Sequence, residues 1–448
     1  MQYIENFKNK LLEKAKASGF ESAEFFYQSS SSKKINIYEG KVEKNQTSST
    51  GGFSFRGLYN GKMGNYYSED INEDIIDTVI EGAKQNAMLI ENDDKEFIYS
   101  GGGEYAKINT YDADISDITA EELAEYAKTL EKAALNADSR VTKVLAATLS
   151  AGEAYISLGN TAGLDLNERS NYVIAYADCV AEENGETKEN GEFGFYMHKK
   201  DIDPADIGRK AAEKTLAMLG ADSVKTGEYD IIIQNEALGD LLDCFIGNFY
   251  GENVQKGFSM LKDRIGEKIA DERLTLVDDP HMEGGMATCA FDSEGVPTRK
   301  NVLIENGVLK MFLHNLKSAA AAGEEPTGNG FKQSFKSTVG ISATNIYIRS
   351  GDKTKNELLS ELKNGLLITE LSGLHAGANS ISGDFSLLAS GFEVKDGKIT
   401  GPVEQITVAD NFYTIINKVK SIGNDMKFNS GGVGAPSVLF EKISIAGK

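Results

Sequence analysis

The sequence predicts an α+β protein in two parts: N-terminal helices on antiparallel sheet, followed by a strand-rich, barrel-like C-terminal domain. Three observations carry that prediction. Glycine outnumbers proline 46 to 6, and the glycines fall between short alternating runs, as hairpin turns do. Most of the helical apolar spacing lies in the first half, and the densest series of short strands lies in the second. Hydrophobic residues make up 40% of the chain and charged residues 26%, which excludes a disordered or fibrous chain. At about 150 residues per domain, the length allows two or three domains.

In the first half, residues 3–18 place Ile4, Phe7, Leu11, Leu12 and Ala15 on one helical face. From 23 to 67 the period becomes two, with turns at Glu39-Gly40 and Asn60-Gly61. The Asn-Gly pair supplies the positive φ angles of a type I′ hairpin. A helix over 71–89 presents Ile75, Ile76, Val79, Ile80 and Ala83, and a loop-rich connection carrying three consecutive glycines follows over 91–118. The capping-box spacing of Thr119 and Glu122 opens a helix to about 137. Strands are expected over 142–149, 153–158, 171–180 and 192–198. A helix then runs from Asp203-Pro204 to about 219 and stops at Gly220. Residues 221–227 read as a linker. This gives an α+β domain over 1–223, with a subdivision near 110–118, and a β-rich domain over 224–448.

In the second half, a strand over 229–233 leads into a helix over 235–247, with Asn235 as N-cap and Gly247 as stop. Leu238, Leu241, Leu242, Phe245 and Ile246 form its core stripe. Hairpins are expected at Asn306-Gly307 and Asp396-Gly397, and a helix over 354–364 ends at Gly365. Short strands over 343–349, 366–371, 391–394, 398–400 and 436–446 suggest a curled sheet or barrel.

Composition narrows the function. With 47 Lys and Arg against 68 Asp and Glu, the chain carries −21 and repels phosphate. The densest basic runs, Lys33-Lys34 and His198-Lys199-Lys200, are too short to offset this, so nucleic acid is not an expected partner. The cysteines, Cys179, Cys244 and Cys289, are few and widely spaced, which fits a reducing cytosol rather than a disulfide framework. Charges interrupt every apolar run near the N-terminus, as in an amphipathic helix rather than a signal peptide. No run approaches the roughly 18 apolar residues that span a bilayer. A cytoplasmic protein with no membrane partner is expected.

The usual catalytic signatures are missing. There is no phosphate-binding GxxxxGK[ST], and Gly431-Gly432-Val433-Gly434 precedes a strand instead of a helix. None of His198, His281, His314 and His375 lies within a helical turn or two of another, so no His-pair zinc motif is present. Cys244, at the edge of the 235–247 stripe, reads as a structural thiol. Asp278-Asp279-Pro280-His281-Met282-Glu283 reads as a solvated acidic turn, and His314 as a satisfied edge residue. The segment 373–386 gathers His375, Asn379, Gly383, Asp384, Phe385 and Ser386 among small residues. Pattern alone leaves it open between a binding loop and a complex turn.

These residues carry a resemblance. Residues 290–299 (AFDSEGVPTR), the hairpin 302–314, Pro326-Thr327-Gly328-Asn329-Gly330, the segment 375–394 (HAGANSISGDFSLLASGFEV), Ile422 to Asp425 and the closing run from Pro436 are similar, in that order, to the TldD/PmbA family. TldD-like members of that family are metallopeptidases with a zinc-binding HExxxH helix and a later cysteine ligand. The resemblance aligns HExxxH with residues 243–248, where this chain has Asp243, Cys244 and Asn248 in place of His, Glu and His, and no cysteine follows Cys289. Zinc needs neutral imidazoles, and its bound water needs a carboxylate base. Asp243 and Asn248 would also lie about 140° apart on a regular helix. The chain therefore resembles the PmbA (TldE) branch.

That resemblance implies a non-catalytic subunit of a cytosolic heterodimeric metallopeptidase acting on unfolded or leader-bearing peptides. It also implies no catalytic residue, metal or cofactor in this chain, and zinc in a TldD-like HExxxH partner. His375, Asn379, Gly383, Asp384, Phe385 and Ser386 are candidates for a substrate groove or the subunit contact, and the chain could homodimerise when alone. The family's older label, modulator of DNA gyrase, sits poorly with a charge of −21. Two alternatives stand beside this reading: a stand-alone hydrolase using Cys244 or an acid of 278–283, and a peptide-binding scaffold without an enzymatic partner.

Overall fold

The computed structural model describes residues 2–91 and 95–448. Met1 and residues 92–94, the latter part of the connection expected over 91–118, lie outside the described residues. The first half is built on one antiparallel sheet of β1 (Ser22–Tyr38), β2 (Lys41–Tyr59), β3 (Lys62–Ser68), β4 (Val141–Asn160), β5 (Asp165–Glu183) and β6 (Glu186–Tyr196), in the order β3-β2-β1-β4-β5-β6. Asn60 and Gly61 turn with φ of 52° and 74°, as a type I′ hairpin requires. The expected break between 149 and 153 is absent, because β4 runs through it. Gly152 lies under the Tyr172 ring, where a Cβ would sit 2.6 Å from ring carbon, so the glycine serves close packing and not a turn.

Helices cover the two ends of one sheet face. At one end α1 (Gln2–Ala17) and α2 (Ile76–Met88) bury Phe7, Leu11, Val79 and Ile80 against Phe25, Phe53 and Phe55. The Phe7 and Phe53 rings meet edge-on at 5.0 Å. At the other end, beyond the short α3 (Ala113–Ser116), α4 (Ala120–Leu135) and α5 (Pro204–Ala217) pack on Ile35, Ile37, Val173 and Ala177. Thr119 caps α4 by accepting from the Glu122 N–H, and Asp203 caps α5 by accepting from the Asp206 N–H.

The second half begins with β7 (Gly227–Ile233) and α6 (Asn235–Asp243). A small sheet orders β10 (Val308–Leu309), β9 (Asn301–Glu305), β8 (Leu276–Asp278), β13 (Ile346–Ile348), β19 (Val433–Ala435) and β18 (Lys427–Phe428), while β11 (Gly330–Phe331) pairs with β12 (Gly340–Ile341). A five-stranded barrel runs β16 (Lys398–Asn411), β15 (Asp384–Lys395), β14 (Gly365–Ser372), β7 and β20 (Val438–Ala446). It closes where Thr407, Val408 and Ala409 pair with Ala446, Ile445 and Ser444, and β17 (Val419–Ile422) extends from β20.

Two expectations change here. The strands expected over 391–394 and 398–400 are parts of the 12-residue β15 and the 14-residue β16. Gly391, which looked like a strand end, is a bulge position whose Cβ would lie 1.9 Å from the Leu367 carbonyl oxygen. The helix expected to stop at Gly365 is Lys355–Leu362, opened by a full Thr354–Glu357 capping box and closed at Lys363 with φ 59°. Gly365 instead starts β14.

Paired charges join the two halves. Arg56 on β2 is 6% exposed and donates from Nε and Nη2 to Glu24 at 2.8 and 3.1 Å, and from Nη1 to Glu294 at 3.2 Å. Nearby, Lys332 Nζ donates to Ser54 at 2.6 Å, and burial pulls this lysine down to about 8. A second junction sets Lys214 of α5 and Lys427 of β18 between Glu192 of β6 and Glu236 of α6, at 2.7–3.0 Å. Burial opposes the charge on Glu236, but Lys214 and Lys427 outweigh it and hold this carboxyl below its usual range.

Candidate functional site

Helix α6 delivers the motif positions. Its apolar stripe, Leu238, Leu241, Leu242, Phe245 and Ile246, is buried in the barrel core as the spacing predicts. Its ends differ from expectation. Gln234 occupies the N-cap, while Asn235 donates from Nδ2 to the Asp425 carbonyl at 2.7 Å. The helix ends at Asp243, not Gly247. Phe245 leaves helical geometry with φ −116°, and Ile246–Phe249 forms a tighter 3₁₀ turn. Asn248 drives this break, because its backbone N–H and its Nδ2 both donate to the Phe245 carbonyl at 3.0 Å.

The three motif positions therefore separate. Asp243 is exposed, with its carboxylate beside Gly431; its burial-raised affinity for a proton is opposed by nearby His375. Cys244 is half-buried and directs Sγ to the Asp240 carbonyl at 3.5 Å. Burial, then Asp243 and Asp240, push its thiol up to about 11. Asn248 is 2% exposed, and its Nδ2 also donates to the Ser380 carbonyl at 2.8 Å. A carboxylate in water, a protonated thiol and an amide already donating inward do not make a zinc ligand set. Among the described residues, no three His, Cys, Asp or Glu side chains gather as one.

The Ser380 carbonyl belongs to the segment that carries the other candidates. His375 lies exposed on the short helix Leu374–Gly377. Asn379 accepts at Oδ1 from the N–H groups of Ile381 and Ser382, at 3.0 and 3.1 Å. Gly383, with φ 85°, faces the Tyr413 ring, where a Cβ would clash at 2.7 Å. Asp384, Phe385 and Ser386 are strand residues of β15, not loop as the sequence suggested. Phe385 is buried, its ring 6.3 Å from Phe245, which stacks on Phe412 at 4.5 Å. Asp384 accepts from Asn411 Nδ2 and Ser382 Oγ, at 2.8 and 2.9 Å, and these bonds hold its carboxyl below the usual range. Residues 376–381 and 384–386 line an open depression of about 590 Å³. Asn379 and Asp384 thus brace the turn, while Asn248 ties it to α6.

Sequence reasoning missed Ser259, Asn411 and Tyr413. Ser259 Oγ donates to the Asn248 carbonyl at 2.8 Å, and Asn411 Nδ2 also donates to the Ser382 carbonyl at 2.8 Å. Only Asn411 left a local signal, an Asn just before Phe412–Ile415, which it caps. The acidic turn also differs. Asp278 is fully buried in β8 and accepts from Asn329 and Thr344, not water. His314 is buried and satisfied, its Nδ1 3.0 Å from Ser318 Oγ.

Known proteins share this architecture. Family profiles described as PmbA/TldA metallopeptidase domain 1, central domain and C-terminal domain match residues 23–87, 113–219 and 226–447. The chain belongs to the PmbA/TldD metallopeptidase family, in its PmbA/TldE branch. It is 28% identical to the metalloprotease PmbA of Escherichia coli O157:H7 over 424 residues, covering 92% of this chain and 90% of that protein. A Thermotoga maritima crystal structure, provisionally described as a modulator of a DNA gyrase, superposes with a TM-score of 0.91 at 33% identity, covering 99% of this chain and 100% of that one. TldE from Thermococcus kodakarensis shares the fold, with a TM-score of 0.90 at 24% identity over 98% and 100% of the two chains. No helix among the described residues is long and apolar enough to cross a membrane.

Proposed function

We propose that this chain is the non-catalytic, TldE-like subunit of a cytoplasmic heterodimeric metallopeptidase that cleaves unfolded or leader-bearing peptides. Zinc and the general base come from a TldD-like chain carrying HExxxH. The observation that carries this reading is the fate of the second histidine position. Asn248 is buried there, its amide donating to Phe245 and Ser380, and the helix that should present a ligand set ends before it reaches that residue. The wall this chain gives the assembly includes an open sheet edge. Residues 41–50 of β2 are exposed, and β3 pairs only with 53–59, so an extended peptide finds unpaired main-chain groups there. Hydrolysis through Cys244 is disfavoured by its raised thiol.

The test is co-expression with an HExxxH paralogue from the same genome, followed by cleavage of an unfolded peptide by the pair and by each chain. The pair should cleave and this chain alone should not. Cleavage by this chain alone, without a partner, would overturn the reading.

A further inference from the structure

Three large apolar side chains stand in water close to Asn248. Phe258 is 51% exposed, Met260 58% and Ile381 46%. One residue ties them together: Ser259, between the first two, donates to the Asn248 carbonyl, and Asn248 donates to the carbonyl of Ser380, beside Ile381. These segments are held firmly. Phe258 N–H donates to the Asn253 carbonyl at 2.8 Å, Leu261 is fully buried, and Asn379 and Asn411 brace the loop. Exposed apolar groups on pinned backbone, next to an open depression, are the anatomy of an interface core.

We infer that this face, formed by Phe258, Met260, Ile381 and the depression at 376–386, docks a folded acidic subunit, with Asn248 as its clamp. The inference rests on the heterodimer reading above and assigns its contact surface. Two observations choose the occupant. The depression offers no free strand edge to a peptide, because β16 pairs along one side of Asp384, Phe385 and Ser386 and Ala378 bridges to Phe385 on the other. In the segment 256–268, Lys256 and Arg264 are paired with Glu252 and Glu267 at 2.6 and 2.8 Å. The exposed Lys262 and Lys268 have no ion-pair partner among the described residues and only Asp263 as a further acid in the segment, a small basic rim on a chain of −21. Such a rim complements an acidic partner surface. The motif position that binds metal in the catalytic branch thus shapes a contact here.

The experiment compares full-length wild type with Phe258→Ser combined with Ile381→Ser, with Lys262→Glu combined with Lys268→Glu, and with Met88→Ser as a 65% exposed apolar control on α2, outside both proposed binding surfaces. Each is titrated against the purified HExxxH paralogue by sedimentation, with thermal unfolding as the check on folding. The apolar pair should weaken association by about 100-fold or more, the charge reversal by about tenfold with reduced salt sensitivity, and Met88→Ser not at all. Wild-type affinity in both double variants overturns the surface and leaves the heterodimer standing. Unchanged association with impaired peptide cleavage makes the face a peptide site instead. Self-association of this chain alone, lost in the same variants, assigns the face to a second copy and likewise overturns the inference. If wild type does not bind the paralogue, the heterodimer reading fails together with its contact.

Discussion

The junction between the halves and the C-terminal end of α6 solve the same problem, fixing buried polar groups, by opposite means. At the junction, Arg56 lies between Glu24 and Glu294, and Lys214 and Lys427 lie between Glu192 and Glu236. At the end of α6, the Asp243 carboxylate is exposed and the more buried groups are neutral: an amide donating to carbonyls and a protonated thiol. Removing one member of a buried charged set strands the others, whereas removing a neutral donor leaves only an unpaired carbonyl. The charged junction therefore holds the two halves in one arrangement, and the neutral end is free to shape a surface.

The largest expected effect tests the charged side. Arg56→Met removes the cation hydrogen-bonded to Glu24 and Glu294, leaving only Lys332, bound to Ser54, near the two buried carboxylates, and should cost about 3–5 kcal/mol in urea unfolding. A cost below 1 kcal/mol would mean that the junction is not held by this set. On the neutral side, Asn248→Ala should cost about 1–3 kcal/mol and raise hydrogen exchange selectively across 379–383. Unchanged protection there would detach the loop from the motif position.

A third prediction probes the junction by pH. Burial raises Glu168 to about 7 from an ordinary 4.5, against the pull of the Ala290 N–H. The folded chain keeps a proton that the unfolded chain gives up between those values. The stability this contributes is present below pH 4.5 and lost as pH rises toward 7. Glu168→Gln should escape that loss, so that between pH 5 and 7 its Tm gains on wild type by on the order of a few degrees. Parallel pH profiles would contradict it. The smallest effect is at Cys244. With its thiol at about 11, Cys244→Ala should leave peptide cleavage by the assembled pair within about twofold, and a larger loss would restore the thiol as a participant.

The same contrast explains how far the sequence could be read. Asn60-Gly61 declared its hairpin because both φ angles are set by the two residues themselves. The core stripe from Leu238 to Ile246 was legible from spacing, but the helix break inside it was not. Phe245 and Ile246 stay buried across the change to a 3₁₀ turn, so the apolar pattern runs on unbroken. Gly152 and Gly391 misled for one reason: each is small because another part of the chain lies against it, and pattern cannot tell that from a turn. The candidate site was half visible. His375 to Ser386 stood out by composition, while Asn248, Ser259 and Asn411 act on carbonyls that only folding brings near. In the case of Asn248 and Ser380, the contact spans 132 positions.

The central claim is that this chain holds no catalytic metal of its own. The most direct measurement is the zinc content of the purified full-length chain after exhaustive dialysis against metal-free buffer, determined by mass spectrometry beside its HExxxH paralogue. The account predicts zinc far below stoichiometric in this chain and about one per chain in the paralogue. One tightly held zinc per molecule of this chain would contradict it.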